Sequence, residues 1–150
     1  MEGEQLQVDV SSVVLSDIDD KKITLSDFKG KVVVFSGGGQ PAAEQCEQWV
    51  AALLKECGTM KDVMFKPLAF VGRLPVFVDK GLIKGEMRKA DPIPLIDWDG
   101  SPQKALGLIK RNVSYVFVID KQGILRFRLA APLSDENLKT VIEQIKKVAV

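Results

Sequence analysis

Lys29-Gly30-Lys31-Val32-Val33-Val34-Phe35-Ser36-Gly37-Gly38-Gly39-Gln40-Pro41-Ala42-Ala43-Glu44-Gln45-Cys46 is the stretch on which the fold turns. Val32 to Phe35 is an unbroken apolar run with no polar alternation, the pattern of a strand covered on both faces. Three glycines follow, and then Pro41, which suits the first turn of a helix because an N–H there would have no intrahelical partner. Cys46, Trp49, Val50, Leu53 and Cys57 recur at helical spacing until Gly58. The helix therefore carries one apolar stripe, and both cysteines of the chain lie on it. A doubly covered strand running into an amphipathic helix is a building unit of an α/β sandwich.

Outward from that unit the pattern continues to alternate. Residues 8 to 15 are expected as a first strand or extended lead, Ser16 to Lys22 as a polar turn, and Ile23, Leu25 and Phe28 as an alternating stretch closed by Gly30. Asp62 to Val71 is the next strand; Pro67, which cannot donate to a ladder, implies an edge, a bulge or a shorter strand. A helix is expected within Val76 to Ala90, with Leu82, Ile83 and Met87 facing inward. Pro92 to Ile96 reads as extended and Asp97 to Gly100 as a turn. Ser101 should cap a short helix that has Pro102 at its first position and Gly107 at its end. Val113 to Ile119 and Ile124 to Leu129 form a hairpin around Asp120-Lys121-Gln122-Gly123. A final helix is capped by Ser134 and striped by Leu138, Val141, Ile142, Ile145 and Val148, with Asp135 and Glu136 at its positive end and Lys146 and Lys147 at its negative end.

Composition bounds the rest. A chain of 150 residues fits one domain, assigned here to residues 1–150, and can bury roughly two thirds of its unfolded surface. With 46% hydrophobic and 27% charged residues it is of the globular class. A net charge of +1, with both signs interspersed, gives no field to gather nucleic acid, so none is expected as a partner. Histidine is absent, which removes the imidazole base of serine and cysteine hydrolases and every His-containing zinc or copper site. Two cysteines and the carboxylates show no usable ligand spacing, so no metal and no resident cofactor are expected. No apolar run approaches the ~18 residues of a membrane span, and Met1-Glu2-Gly3-Glu4 is acidic where a signal peptide would be basic. The expectation is a soluble protein, cytoplasmic as the sequence stands or exported if a leader once preceded it.

Three phrases in register carry a family resemblance. They are Leu25-Ser26-Asp27-Phe28-Lys29-Gly30-Lys31-Val32-Val33-Val34; Pro94-Leu95-Ile96-Asp97-Trp98-Asp99-Gly100-Ser101 with Ala105-Leu106-Gly107-Leu108; and Phe117-Val118-Ile119-Asp120-Lys121-Gln122-Gly123-Ile124-Leu125-Arg126. Together they resemble the redoxin branch of the thioredoxin superfamily, which includes peroxiredoxin-type proteins, alkyl hydroperoxide reductases and the thioredoxin-like reductases of cytochrome maturation. The resemblance implies an α/β, thioredoxin-like fold: a mixed central sheet of four or five core strands flanked by helices, with an N-terminal hairpin extension. It also implies an active site at the start of the helix near Pro41, where free amides and the helix dipole stabilise a thiolate.

The residues that would do thiol chemistry are replaced. Anchored on Pro41, the reductase Cys-x-x-Cys motif falls on Gln40-Pro41-Ala42-Ala43; anchored on Lys29-Gly30-Lys31, its cysteines fall on Ala42 and Gln45. The second anchor places a peroxidatic cysteine on Cys46, but the peroxiredoxin pattern Pro-x-x-x-Thr-x-x-Cys meets Gly39 and Ala43 here. Ser114 stands where reductases have a cis-proline and peroxiredoxins an arginine. Three readings follow. The first is a redoxin-family binding or accessory module without thiol catalysis. The second is a one-cysteine peroxidase or thiol oxidoreductase with Cys46 as nucleophile, Cys57 being too far along the helix, at about 16 Å, to pair with it. The third is small-anion or cofactor binding on the amides of Gly37, Gly38 and Gly39, with Gln40 and Ser114 beside them. Trp98, in its turn, is the aromatic residue expected to be most exposed and is a contact candidate, with ordinary packing the favoured reading.

Overall fold

The structure, a computed structural model, describes residues 3–72 and 74–149, which leaves Met1 and Glu2 of the acidic start outside it. Its strands are β1 (Glu4–Asp9), β2 (Val14–Ser16), β3 (Lys22–Thr24), β4 (Val32–Gly38), β5 (Val63–Phe70), β6 (Leu95–Asp97), β7 (Tyr115–Ile119) and β8 (Ile124–Ala130). Its helices are α1 (Ala43–Cys57), α2 (Lys80–Met87), α3 (Ser101–Leu106) and α4 (Asp135–Ala149). The strands form one mixed sheet in the order β1-β8-β7-β4-β5-β6-β2-β3. The central strand, β4, pairs in parallel with β5 and antiparallel with β7.

Period-two alternation divides the core between the two faces of this sheet. Val33 and Phe35 of β4 join Tyr115, Phe117 and Ile119 of β7 on one face, beneath α3 and the N-terminal segment. Val32 and Val34 join Val116 and Val118 on the other, beneath α1 and α4. In β8, Leu125 packs on the first face but Phe127 and Leu129 on the second. The ladder explains the switch: Ile119 faces Leu125 while Val118 faces Phe127, so Arg126 is an extra residue, and a bulge of this kind reverses side-chain parity. The buried positions of α1 are Cys46, Trp49, Val50, Leu53 and Cys57, the stripe read from the sequence. Ser134 Oγ accepts the Asn137 N–H at 3.1 Å and caps α4, as expected.

Several expectations need correction. The five core strands, β8-β7-β4-β5-β6, are as expected, but the N-terminal extension is more than a hairpin and adds to both ends of the sheet: β1 pairs with β8, while β2 joins β6 and carries β3. Residues 8 to 15 are accordingly not one strand. Pro67 is accommodated because β6 pairs with β5 only from Leu68 onward, leaving the outer edge of β5 free before that point. In the helix expected within 76 to 90, only Lys80–Met87 is helical, and Leu82 faces outward at 74% exposure. Ser101 is the first residue of α3 and not its cap. Asp97, 1% exposed, caps from further back, its Oδ1 accepting from the N–H groups of Asp99 (3.0 Å) and Gly100 (2.6 Å) and its Oδ2 from Gln103 (2.8 Å).

Candidate functional site

The parallel strands β4, β5 and β6 end, and the antiparallel β7 begins, at the same edge of the sheet where α1 starts. Ligands of open α/β sheets settle at such an edge, beyond the carboxyl ends of the parallel strands. Gly37 and Gly38 are the last residues of β4, and Gly39 leads into a 3-10 turn at Gln40–Ala42 that carries Pro41. Cys46 is thus the fourth residue of α1 itself, past the amides on which a helix N-terminus is most effective.

The three glycines are closely packed from three directions. A Cβ on Gly37 would lie 2.6 Å from the Phe70 ring; on Gly38, 2.9 Å from Ala42 Cβ and 3.5 Å from Cys46 Sγ; on Gly39, 2.7 Å from Arg111 Nε. All three are buried, and the loop is therefore a packing slot. Its amides are also engaged: Gly37 pairs with Tyr115 and Leu68 in the ladders, and the Gly39 N–H donates to Arg111 O at 3.0 Å. Arg111 closes the slot from above, its Nη1 and Nη2 donating to the carbonyls of Val71 (3.4 Å) and Phe70 (2.6 Å). Tyr115 Oη accepts from the N–H groups of Ile109 and Lys110, each at 3.2 Å, and holds the loop that bears Arg111. Gly37→Ala is expected to destabilise by about 1–3 kcal/mol through overpacking against Phe70, read as a lower midpoint in urea with an unchanged slope.

Beneath this slot Cys46 is 5% exposed. Burial pushes its thiol up to about 11, the Ser36 hydroxyl opposing this and the Glu47 charge adding to it. Ser36 Oγ is itself buried and lies near enough to the thiol to lower its pKa, yet without the geometry of a full hydrogen bond. Cys57, at the far end of α1, is also buried, and burial raises its thiol too. Both cysteines are free.

Gln45 and Ser114, which the sequence places at a reductase cysteine and at the cis-proline position, are brought into contact. Gln45 Oε1 accepts the Ser114 N–H at 3.3 Å. The Ser114 hydroxyl has one proton, divided between Gln45 Oε1 at 3.2 Å and Ala131 O at 2.8 Å. Ala131 O also accepts from Trp49 Nε1 at 3.0 Å, and the Ala131 N–H donates to Ser114 O at 3.0 Å. Helix α1, the entry to β7 and the exit of β8 are thereby joined in one buried network. Among the described residues the cis peptide bond is Asp91–Pro92, not the bond before Ser114.

Of the expected site residues, Gly37, Gly38, Gly39, Cys46 and Ser114 do gather at one place, with Gln40 exposed beside them. Trp98 does not join them as an open contact: it is half-buried, with Lys80 Nζ 4.6 Å above its ring. Sequence reading missed the closing role of Arg111 and the network through Ala131, since both depend on main-chain carbonyls, which leave no mark on residue identity. Among the described residues there is no group of three or more His, Cys, Asp or Glu able to hold a metal ion, and no helix long and apolar enough to cross a membrane.

No family model matches this chain, and no curated protein does. Solved structures match over nearly its full length. A thiol:disulfide interchange protein of the thioredoxin family from Chlorobium tepidum is 17% identical, with 98% of this chain and 99% of that one covered and a TM-score of 0.62. BsSco, a member of the Sco family of cytochrome c oxidase assembly proteins, is 12% identical over 97% and 96%, with a TM-score of 0.67. The exposed lipoprotein thioredoxin Etrx1 of Streptococcus pneumoniae is 20% identical over 90% and 98%, with a TM-score of 0.63. The fold is thioredoxin-like, as the sequence motifs imply, and these matches fall among the redox proteins those motifs resemble.

Proposed function

We propose that this protein is a thioredoxin-fold binding or accessory module that works without thiol catalysis, in a redox-related setting like that of its solved relatives. The observation that carries this reading is the Gln45–Ser114 contact. In a thiol oxidoreductase the start of the helix offers an accessible sulfur; here Ala42 is buried, Gln45 spends its carbonyl on Ser114, and the remaining thiol lies beneath both with its pKa raised. A preorganised thiolate site needs the reverse: low pKa, exposure and a nearby positive charge.

The experiment is a turnover assay with disulfide and hydroperoxide substrates in the presence of an external thiol. The expected rate is that of the buffer, unchanged by Cys46→Ser. Robust turnover that Cys46→Ser abolishes would replace this reading with that of a one-cysteine peroxidase or oxidoreductase, in which Cys46 attacks and the external thiol resolves the sulfenic acid. The anion-binding reading has less support, because the Gly39 amide is already donated to Arg111. Titration with inorganic phosphate, followed by amide chemical shifts of residues 37 to 43, would revive it if those amides alone responded.

A further inference from the structure

Helix α2 has no fully buried residue: Ile83 and Met87 are partly covered, and Leu82 points to solvent. Eight residues are too few to be helical alone, since isolated helices shorter than about 12–15 residues are marginal in water. The apolar stripe that would ordinarily anchor such a helix is reduced here to Ile83 and Met87, each only partly covered. The approach to α2 adds little anchorage, with Val76 and Phe77 at 104% and 86% exposure and Leu74 and Val78 only partly covered.

Charge supplies the rest of the attachment. Lys84 and Arg88 are four residues apart and so share one face. Lys84 Nζ pairs with Asp20, while Arg88 Nη2 donates to Asp19 Oδ1 at 3.1 Å and to Ile18 O at 3.4 Å. The two carboxylates sit on the β2–β3 turn, which is fixed without help from α2. Asp17 Oδ1 accepts the N–H groups of Asp19 (2.8 Å) and Lys21 (2.9 Å), and Asp20 takes the left-handed backbone at φ 65°, which Asp tolerates better than most residues. From the start of α2, Lys80 reaches over Trp98, whose indole N–H is buried with no acceptor.

We propose that α2 is an ionic latch, clipped to the β2–β3 turn by Asp19 and Asp20, whose release bares Trp98 while the sheet stays folded. Release costs only the partial apolar burial of Ile83 and Met87, and it gives the orphaned indole N–H access to water. The ion pairs are exposed on at least one side, so salt screens them, whereas the two apolar cores are indifferent to it. This inference is independent of whether the α1 site performs chemistry.

Hydrogen exchange on the full chain at about 20 mM and about 0.5 M NaCl tests it, the Debye length falling several-fold between the two. The amides of α2 are expected to exchange about three- to tenfold faster in high salt, with β4 and β7 unchanged. Acrylamide quenching of tryptophan emission should rise in parallel, reporting Trp98 because Trp49 is fully buried. The double variant Asp19→Asn, Asp20→Asn should show the fast α2 exchange already at low salt; asparagine keeps the left-handed backbone at position 20. Exchange in α2 that ignores both salt and the variant would overturn the latch. So would a rise shared by α2 and β4, which would make the helix part of the cooperative core.

Discussion

Trp49→Ala is expected to lower the stability of the fold by about 3–5 kcal/mol, a large share of the ~5–15 kcal/mol available to a domain of this kind. The indole is 0% exposed in the core beneath α1 and α4, among Val116, Val118 and Leu129. Its removal leaves a cavity that strands of a mixed sheet cannot close, because β4 and β7 are fixed by neighbours on both sides. The N–H adds a smaller, separable part. Trp49→Phe keeps most of the volume and loses only the bond to Ala131 O, which still accepts from Ser114, so about 1 kcal/mol is expected. Denaturant unfolding of the two variants checks the division. Equal losses would mean that the hydrogen bond, and not the ring volume, is what Trp49 contributes.

The Ala131 carbonyl joins this stability to the candidate site. It accepts from Trp49 in the middle of α1 and from Ser114 at the entry to β7, and Ser114 in turn engages Gln45 at the start of α1. Where a thioredoxin-type site would hold polar groups ready for a substrate, this chain uses them to fasten its own elements together. On the function proposed above, these contacts serve the fold in place of a preorganised catalytic site.

What was legible in the sequence was what periodicity records. The stripe of α1 and the alternation of β4 and β7 follow from local spacing, and each position faces where that spacing directs it. The family motifs likewise held, since they mark turns and strand ends set by short-range chemistry, such as the Asp120 turn, whose carboxylate accepts from Gln122 and Ile124. What was not legible depended on distant partners. Strand β1 is legible only with β8 beside it, and the bulge at Arg126 only in the ladder. Leu82 reads as core by spacing, but of the three expected apolar positions only Ile83 and Met87 are partly covered, while Lys84 and Arg88 of the same segment pair with Asp20 and Asp19, some 65 residues away. The triglycine segment looks loose in isolation. Phe70, Ala42 and Arg111 make it tight, and they converge only in the folded chain.

Native Cys46 is expected to react with a small thiol reagent at pH 7 at least about a hundredfold more slowly than in the unfolded chain. Raising the thiol from 9.0 to about 11 lowers the thiolate fraction about a hundredfold, and 5% exposure slows access further. The same shift has a sign in stability. A raised folded pKa means that the folded state keeps a proton the unfolded state has lost, so this contribution is complete below pH 9 and is lost as pH rises through about 11. Two pH units correspond to about 2–3 kcal/mol. Cys46→Ala should therefore show a shallower alkaline loss of stability than the parent protein between those limits. A native thiol labelled as fast as the denatured one would mean that the Gly38–Ala42 cover opens readily. Cys46 would then stand at an accessible helix start, and the peroxidase reading would gain the exposed sulfur it requires.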